Sequence, residues 1–129
     1  MTERKLHIYY AHHQWKYGTK IEEYELNLIK TYFPNAVIFN PSVDLDIAGK
    51  TEDEIMALCL SQVSLSDIVI FSSMDGLVGV GVFEEIRHAI SNTIPVFYIY
   101  KDKLRSDFKM YVNDLSDSDR TFGRVDAET

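Results

Sequence analysis

The apolar residues of this chain fall into two kinds of segment that alternate along the sequence. Four short, continuous apolar runs rich in β-branched and aromatic residues are typical of buried strands: residues 6–11, 36–40, 68–72 and 94–100. Three other segments have apolar residues at helical spacing: residues 19–33, 51–66 and about 81–92. The first two of these begin with a capping-box pattern, in which a Thr is followed three residues later by a Glu. The pattern therefore predicts strands and helices in alternation.

The remaining segments carry less regular patterns. Residues 101–113 have apolar residues at helical spacing, and residues 121–125 resemble a short fifth strand. Residues 42–50 carry two aspartates and a glycine, and residues 114–119 consist mostly of Asp and Ser. We therefore expect loops in the last two segments, a helix over residues 101–113 and a short strand near the C-terminus.

Alternating strands and helices predict an α/β fold in which the strands pair in parallel through right-handed crossovers. The strands lack polar alternation, which is typical of a sheet covered by helices on both faces. We expect a doubly wound parallel sheet of four or five strands, in a flavodoxin-like three-layer α/β/α arrangement. Ligands of such folds bind at the carboxyl ends of the strands, where the strand order reverses. This places His12, His13 and Trp15 after the first strand opposite Ser72 and Ser73 after the third.

The stretch over residues 67–89 combines a buried strand, a glycine-rich turn and the start of a helix. Gly76, Gly79 and Gly81 permit positive φ and close approach of the backbone to a ligand, and a helix start offers free N–H groups to an anion. The glycines alone are equally consistent with a tight turn. The third glycine of a dinucleotide fingerprint is absent, and no Gly-Lys-Ser/Thr of a P-loop occurs.

Two adjacent acids at this helix start are separated by helix geometry. At 100° per residue, Glu84 falls opposite the apolar face, together with Arg87. There it is a solvated acid near the helix start, which the helix dipole stabilises. Glu85 falls at the border of the apolar face, stacked with Val82 and Ala89. A carboxylate there can act as a nucleophile or a general base, for which glycosyl chemistry is a natural use. A second dipole-stabilising acid is the alternative interpretation of Glu85.

Composition narrows the class of protein. With 129 residues and 14.9 kDa, we expect one domain over residues 1–129. A formal charge of −7 argues against binding of a nucleic-acid polymer, although single nucleotides remain possible. Cys59 is the only cysteine, which favours a reducing compartment. The sequence shows no signal peptide and no apolar run long enough to span a membrane, so we expect a cytoplasmic protein.

Three motifs resemble the nucleoside 2-deoxyribosyltransferase family, which includes the 2-deoxynucleoside 5′-monophosphate N-glycosidases. They are Leu6-His-Ile-Tyr-Tyr-Ala11, Gly79-Val-Gly-Val-Phe-Glu-Glu-Ile-Arg-His-Ala89 and Ile94-Pro-Val-Phe97. In that family a first strand supplies an aromatic residue at the sugar, a Gly-x-Gly turn precedes a helix start with a Glu, and a Pro-Val strand follows. The resemblance covers roughly residues 6–100.

The resemblance implies roles for several residues. Glu85 corresponds to the nucleophilic glutamate, while Tyr9 or Tyr10 and Asp75 would position the sugar and the glutamate. The family's orienting aspartate in the helix before the third strand falls at Cys59, which is a departure from the family pattern. The remaining candidates for binding the substrate are His12, His13, Trp15, Ser72, Ser73, Gly79 and Gly81.

The implied partner is a nucleoside or nucleotide, bound without a cofactor, and a homo-oligomer is possible because a neighbouring subunit can close the pocket in that family. His12 and His13 are adjacent and point to opposite sides of an extended chain, so we expect no metal site. Two other functions stay open. One is a non-catalytic nucleotide-binding or sensing domain of the same fold, and the other is a receiver-like domain using Asp75 and Lys101.

Overall fold

A computed structural model describes residues 4–127, so the two ends of the predicted domain lie outside the described residues. The strands are β1 (His7–Ala11), β2 (Val37–Phe39), β3 (Ile68–Phe71), β4 (Leu77–Val78), β5 (Val96–Tyr100), β6 (Lys103–Arg105), β7 (Phe108–Val112) and β8 (Gly123–Ala127). The α-helices are α1 (Lys20–Tyr32), α2 (Pro41–Asp44), α3 (Glu52–Ser64) and α4 (Val80–Ser91). Short 3-10 helices span Gln14–Lys16 and Asp119–Thr121.

The larger of two sheets has five strands in the order β2-β1-β3-β5-β6. The first four are parallel, and β6 pairs with β5 in the antiparallel direction. The prediction of an α/β chain built on a mostly parallel sheet is confirmed. The chain places β2 on one side of β1 and β3 on the other, so the strand order reverses between β1 and β3.

Helices cover both faces of this sheet, because successive strand residues point to opposite sides. The face under α3 and α4 is formed by Tyr9, Ala11, Val69 and Phe71, which pack with Cys59, Val63, Val82, Phe83, Ile86 and Ala89. The opposite face is formed by Ile8, Tyr10, Ile68 and Ile70, which pack with Ile29 of α1. Burial of this apolar surface from both sides is the main force that holds the sheet and helices together.

The two predicted capping boxes differ in the structure. At α3 the Thr51 hydroxyl accepts the Glu54 N–H at 3.2 Å, and the Glu54 carboxylate accepts the Thr51 N–H at 3.2 Å. At α1 the Thr19 hydroxyl accepts the Glu22 N–H at 3.3 Å, but the Glu22 carboxylate turns inward to His12. The capping box at α1 is therefore incomplete because the Glu22 side chain is buried in the interior.

The C-terminal quarter of the chain differs from its prediction. Residues 101–113 form β6 and β7 instead of a helix, and the predicted strand at residues 121–125 becomes β8 in a separate antiparallel sheet of order β4-β8-β7. The helical spacing was misleading because Phe108 and Met110 also alternate with exposed neighbours, as in a strand. Gly123 lets β8 cross α4 closely, since a Cβ there would lie 2.5 Å from the Phe83 ring.

The glycine-rich turn is also tighter than expected. Asp75 and Gly76 have φ of 52° and 81° and form the two central positions of a hairpin turn, with Met74 bridged to Leu77. Gly79 instead has φ of −75° and caps α4, so of the three glycines in the turn it does not use the positive φ that glycine permits. Within residues 4–127, none of the helices has the length and apolar character that crossing a bilayer requires.

Candidate active site

Helix α4 turns Glu85 into the interior and leaves Glu84 at the surface, as helix geometry predicts. Glu85 is 6% exposed, and its neighbours along α4, Val82 and Ala89, are buried against the sheet. Glu84 instead forms an ion pair with Arg87 at 3.5 Å on the outer side of the helix. Glu85 is therefore the acid of this pair that lies within the protein.

The Glu85 carboxylate meets the side chain of Tyr9 from the middle of β1. The Tyr9 hydroxyl donates a hydrogen bond to Glu85 Oε2. Burial raises the pKa of Glu85 to about 7, while the Tyr9 hydrogen bond acts in the opposite direction. Burial and the charge of Glu85 raise the pKa of Tyr9 far above its usual value, so its hydroxyl remains a donor. A carboxyl that ionises near neutral pH is suited to nucleophilic or acid–base chemistry.

Cys59 of α3 is the third member of this buried group. Its side chain is close enough to Tyr9 and Glu85 for all three to influence one another's ionisation. Burial, followed by the charge of Glu85, raises the pKa of the Cys59 thiol. The thiol therefore remains protonated and acts here as a small, weakly polar neighbour of the carboxylate.

Tyr10 lies on the opposite face of the sheet from Glu85. Its hydroxyl donates to Glu25 of α1 at 2.5 Å, and the same carboxylate accepts the Ser72 hydroxyl at 2.7 Å. Burial and Glu25 together raise the pKa of the Tyr10 hydroxyl. The structure therefore brings Tyr9 to Glu85, whereas Tyr10 and Ser72 belong to a polar network beneath α1.

His12 belongs to the same side as Tyr10 and stacks on its ring, with centroids 3.8 Å apart. Its Nε2 lies 2.6 Å from Glu22 Oε2, and its Nδ1 lies 3.2 Å from the Tyr10 carbonyl oxygen. Burial lowers the pKa of His12, and the bond to Glu22 opposes this. Burial alone would raise the pKa of Glu22, but hydrogen bonds from His12 and the Gly18 amide outweigh it and leave the pKa below its usual value.

His13 and Trp15 lie at the start of α4, where sequence reasoning places a ligand. A Cβ on Gly79 would lie 3.2 Å from the His13 ring, so the two are in close contact. The His13 and Trp15 rings meet edge to face with centroids 5.0 Å apart, and the Arg120 guanidinium lies 4.3 Å from the Trp15 ring centroid. Burial and the nearby charges of Arg120 and Lys16 lower the pKa of His13. This is a cationic, aromatic surface beside the first turn of the helix.

Ser73 and Asp75 lie at the end of β3, on a groove of about 590 Å³ that also includes Tyr98 and Lys101. The Ser73 hydroxyl is 2.6 Å from the Tyr98 hydroxyl and accepts the Gly76 N–H at 3.2 Å. Asp75 is exposed on this groove, together with the Lys101 that a receiver-like domain would use.

A second depression of about 600 Å³ lies near Arg4 and Val37, and Glu85 lines neither of the two. Gly81 faces α3, where a Cβ would lie 3.3 Å from the Met56 Cε. Among residues 4–127, no three His, Cys, Asp or Glu side chains are grouped so that they would hold a metal ion. The predicted site residues thus lie in four separate places: Glu85 with Tyr9, the start of α4, the groove at the end of β3, and the polar network beneath α1.

Sequence reasoning missed Glu22, Glu25 and Arg120. The first two are buried and lie on the same side of α1 as Ile29, so their spacing relative to that residue was the available signal. Arg120 carried no local signal, because it lies in a segment of Asp and Ser far along the chain. The chain matches no model of a protein family and no curated protein.

Proposed function

We propose that this protein cleaves or transfers the N-glycosidic bond of a nucleoside or deoxynucleoside, or of a nucleoside 5′-monophosphate, with Glu85 as the nucleophile. One observation carries the proposal. A buried glutamate near the start of a helix is held by a tyrosine hydroxyl from the adjacent strand, and burial shifts the pKa of its carboxyl to about 7. This fits a group that attacks an electron-poor sugar carbon.

The reaction requires two displacements at the anomeric carbon. In the first, a Glu85 oxygen forms a bond to this carbon while the bond to the base nitrogen breaks, and the base leaves with the electron pair and takes up a proton. In the second, water or another base attacks the same carbon and loses a proton, and Glu85 is released as a carboxylate. Two displacements retain the configuration of the sugar.

Tyr9 would position the nucleophile in this scheme. Its hydroxyl binds one oxygen of the Glu85 carboxylate and leaves the other oxygen to attack. The phenol stays protonated throughout, because burial and Glu85 raise its pKa far above neutral pH. The surface of His13, Trp15 and Arg120 at the start of α4 supports binding of a polar or anionic substrate group at that end of the helix.

The proposal includes a doubly wound, flavodoxin-like architecture and a cytoplasmic protein that acts on small molecules. The reversal of strand order between β1 and β3 supports it, because ligands of such sheets bind at that point. His13 follows β1 and Gly79 caps the helix after β3, and these two residues meet. The role of Asp75 at the sugar belongs to the same proposal.

A non-catalytic nucleotide-binding domain is the second candidate. Cys59 favours it, because a protonated thiol stands beside Glu85 where the resemblance implies an aspartate. The low exposure of Glu85 favours it as well. Under this alternative the carboxyl has no reaction to perform, and the surface at the α4 start binds a nucleotide without changing it.

The test is release of free base from deoxynucleosides and their 5′-monophosphates, followed by chromatography. We expect release to increase with pH through about 7, because Glu85 attacks only when ionised and its pKa lies there. If no base is released but a nucleotide raises the melting temperature, the binding alternative replaces the enzyme.

A further inference from the structure

Tyr9 binds Glu85 through its hydroxyl, and its ring lies against a second aromatic ring. Phe39 of β2 stacks on Tyr9 with the ring centroids 5.6 Å apart and the ring planes inclined by 17°. The two residues are direct partners in the parallel pairing of β1 with β2. Tyr9 belongs to the core that α3 and α4 cover, and Phe39 packs against that core. The stack therefore lies on the same side of the sheet as Glu85.

The Tyr9 ring is confined between two neighbouring strands. Its hydroxyl lies at the far end of the ring, so a small rotation about the bonds near the backbone displaces it sideways. Val69 is the partner of Tyr9 on β3 and is fully buried on the same side of the sheet, so it limits movement in that direction. Phe39 limits movement in the other direction, toward β2.

The side toward β2 is the less secure of the two, because β2 is an edge strand of the larger sheet. Phe39 is half-buried and also lines the depression of about 600 Å³ near Arg4. Helix α4 packs over β1, β3 and β5 and not over β2. A tilt of the Tyr9 ring toward β2 would therefore carry its hydroxyl away from α4 and from Glu85.

We propose that Phe39 is a positioning residue, whose ring keeps the Tyr9 hydroxyl on the Glu85 carboxylate by blocking a tilt of Tyr9 toward β2. Phe39 acts through Tyr9 and not on the reacting atoms. An aliphatic side chain would fill much of the same space, but a flat ring lies parallel to the phenol and supports its whole face. The kinetic part of the inference rests on the proposed function, whereas the structural part does not.

The structural part is tested without substrate, by carbon-13 NMR titration of the Glu85 side-chain carboxyl, assigned through its loss in Glu85→Gln. The Tyr9 hydrogen bond lowers the pKa of Glu85, so Tyr9→Phe should raise that pKa. The expected rise is up to about one pH unit, which corresponds to a hydrogen bond of ordinary strength. We expect Phe39→Ala to raise the pKa by a smaller amount, with no further effect in the Tyr9→Phe background.

A role in packing alone would shift the pKa of Glu85 in the opposite direction. Because Phe39 lines a depression, its truncation to Ala would let water approach Tyr9 and the carboxylate. Hydration lowers a carboxyl pKa that burial has raised. A lower or unchanged pKa of Glu85 in a Phe39→Ala protein with native circular dichroism would therefore overturn the proposal.

Two further substitutions of Phe39 separate the ring from its volume. Phe39→Tyr keeps the ring and should keep the wild-type pKa of Glu85. Phe39→Leu keeps an apolar side chain without the ring and should raise that pKa, and it decides the matter if Phe39→Ala does not fold. A folded Phe39→Leu protein in which Glu85 titrates as in wild type would overturn the proposal.

Ile38→Ala is the matched control in the same strand. Ile38 is also half-buried, but it packs with the core on the opposite side of the sheet. We expect this change to lower stability and to leave the pKa of Glu85 unchanged. An equal rise in Ile38→Ala and Phe39→Leu would mean that loosening of β2 moves Glu85 without any role for the stack, and would also overturn the proposal.

The kinetic part is measured on base release. We expect Phe39→Ala to lower kcat by roughly tenfold, the cost of a misplaced group, with little change in KM. The loss should disappear in the Tyr9→Phe background, because Phe39 acts through Tyr9. A change in KM alone, or losses that add, would contradict this role. If the wild type releases no base, the proposed function fails, while the NMR titration still decides the structural part.

Discussion

Replacing Glu85 by glutamine is expected to lower the rate of base release by at least about a thousandfold, in line with removal of a nucleophile from other enzymes. The amide is uncharged and does not form the glycosyl ester, so both displacements lose their nucleophile. Glutamine keeps the size of the side chain and an oxygen that accepts the Tyr9 hydroxyl. The loss should therefore appear without a change in fold, measured as free base released per enzyme under saturating substrate.

Glu84→Gln is the matched control for this variant. Glu84 precedes Glu85 directly but lies on the outer side of α4, where it pairs with Arg87. An exposed pair of this kind contributes little to stability, so we expect stability and base release close to wild type. Equal losses in both variants, or undiminished release by Glu85→Gln, would show that the carboxylate is not the nucleophile.

The second large effect concerns stability. Between about pH 4.5 and about pH 7.5, the contribution of Glu85 to the free energy of unfolding should fall by about 3 kcal/mol. The pKa of this carboxyl is about 7 in the folded protein and near its ordinary 4.5 when unfolded. Within that window the unfolded chain has lost the proton and the folded protein still holds it. Raising the pH therefore favours unfolding, and the contribution is fully present only below about pH 4.5.

Urea unfolding of wild type and Glu85→Gln across this range isolates the effect. Other groups titrate in both proteins, including the His12–Glu22 pair, and cancel in the difference. The free energy of unfolding of wild type minus that of Glu85→Gln should decline with pH and level off above about 7.5. A difference that is constant from pH 4.5 to 7.5 would mean that Glu85 ionises in the folded protein as it does in solution.

The choice of Glu85 over Glu84 was available from the sequence because the signal is local. Val82 and Ile86 fix the inward face of α4, and one residue rotates the side chain by 100°. The order of the longer strands and helices up to residue 100 followed for the same reason, since each apolar run is flanked by its own caps or turns. The short elements did not: α2 begins the segment predicted as a loop over residues 42–50, and β4 was not predicted.

The burial of two acids on the inward face of α1 was not predictable in this way, because their spacing to Ile29 gives their side of the helix but not their burial. Ile21, Tyr24 and Tyr32 are largely exposed, although their helical spacing suggested a buried face. Glu22 and Glu25 are buried instead, because His12 and Lys16 need acceptors for their buried N–H groups. No sequence pattern near α1 indicates that Lys16, from the loop before the helix, is buried in the interior.

The helix predicted over residues 101–113 was wrong for a different reason. Over residues 101–113 the spacing of apolar residues satisfies a helix and a strand equally, and pairing with distant residues decided the outcome. Met110 lies opposite Val125, and Tyr111 lies opposite Arg124. Such partners are set by the tertiary fold rather than by the segment itself.

The most direct measurement of the central claim is peptide mass spectrometry of enzyme quenched in acid during turnover. With a deoxynucleoside 5′-monophosphate as substrate, the expected result is a peptide carrying Glu85 that gains the mass of one deoxyribosyl 5′-phosphate group, which is deoxyribose 5-phosphate less one water. The same peptide from Glu85→Gln should show no gain, while Glu84→Gln should behave as wild type. A sugar adduct on another residue, together with undiminished base release by Glu85→Gln, would contradict the assignment of Glu85 as the nucleophile.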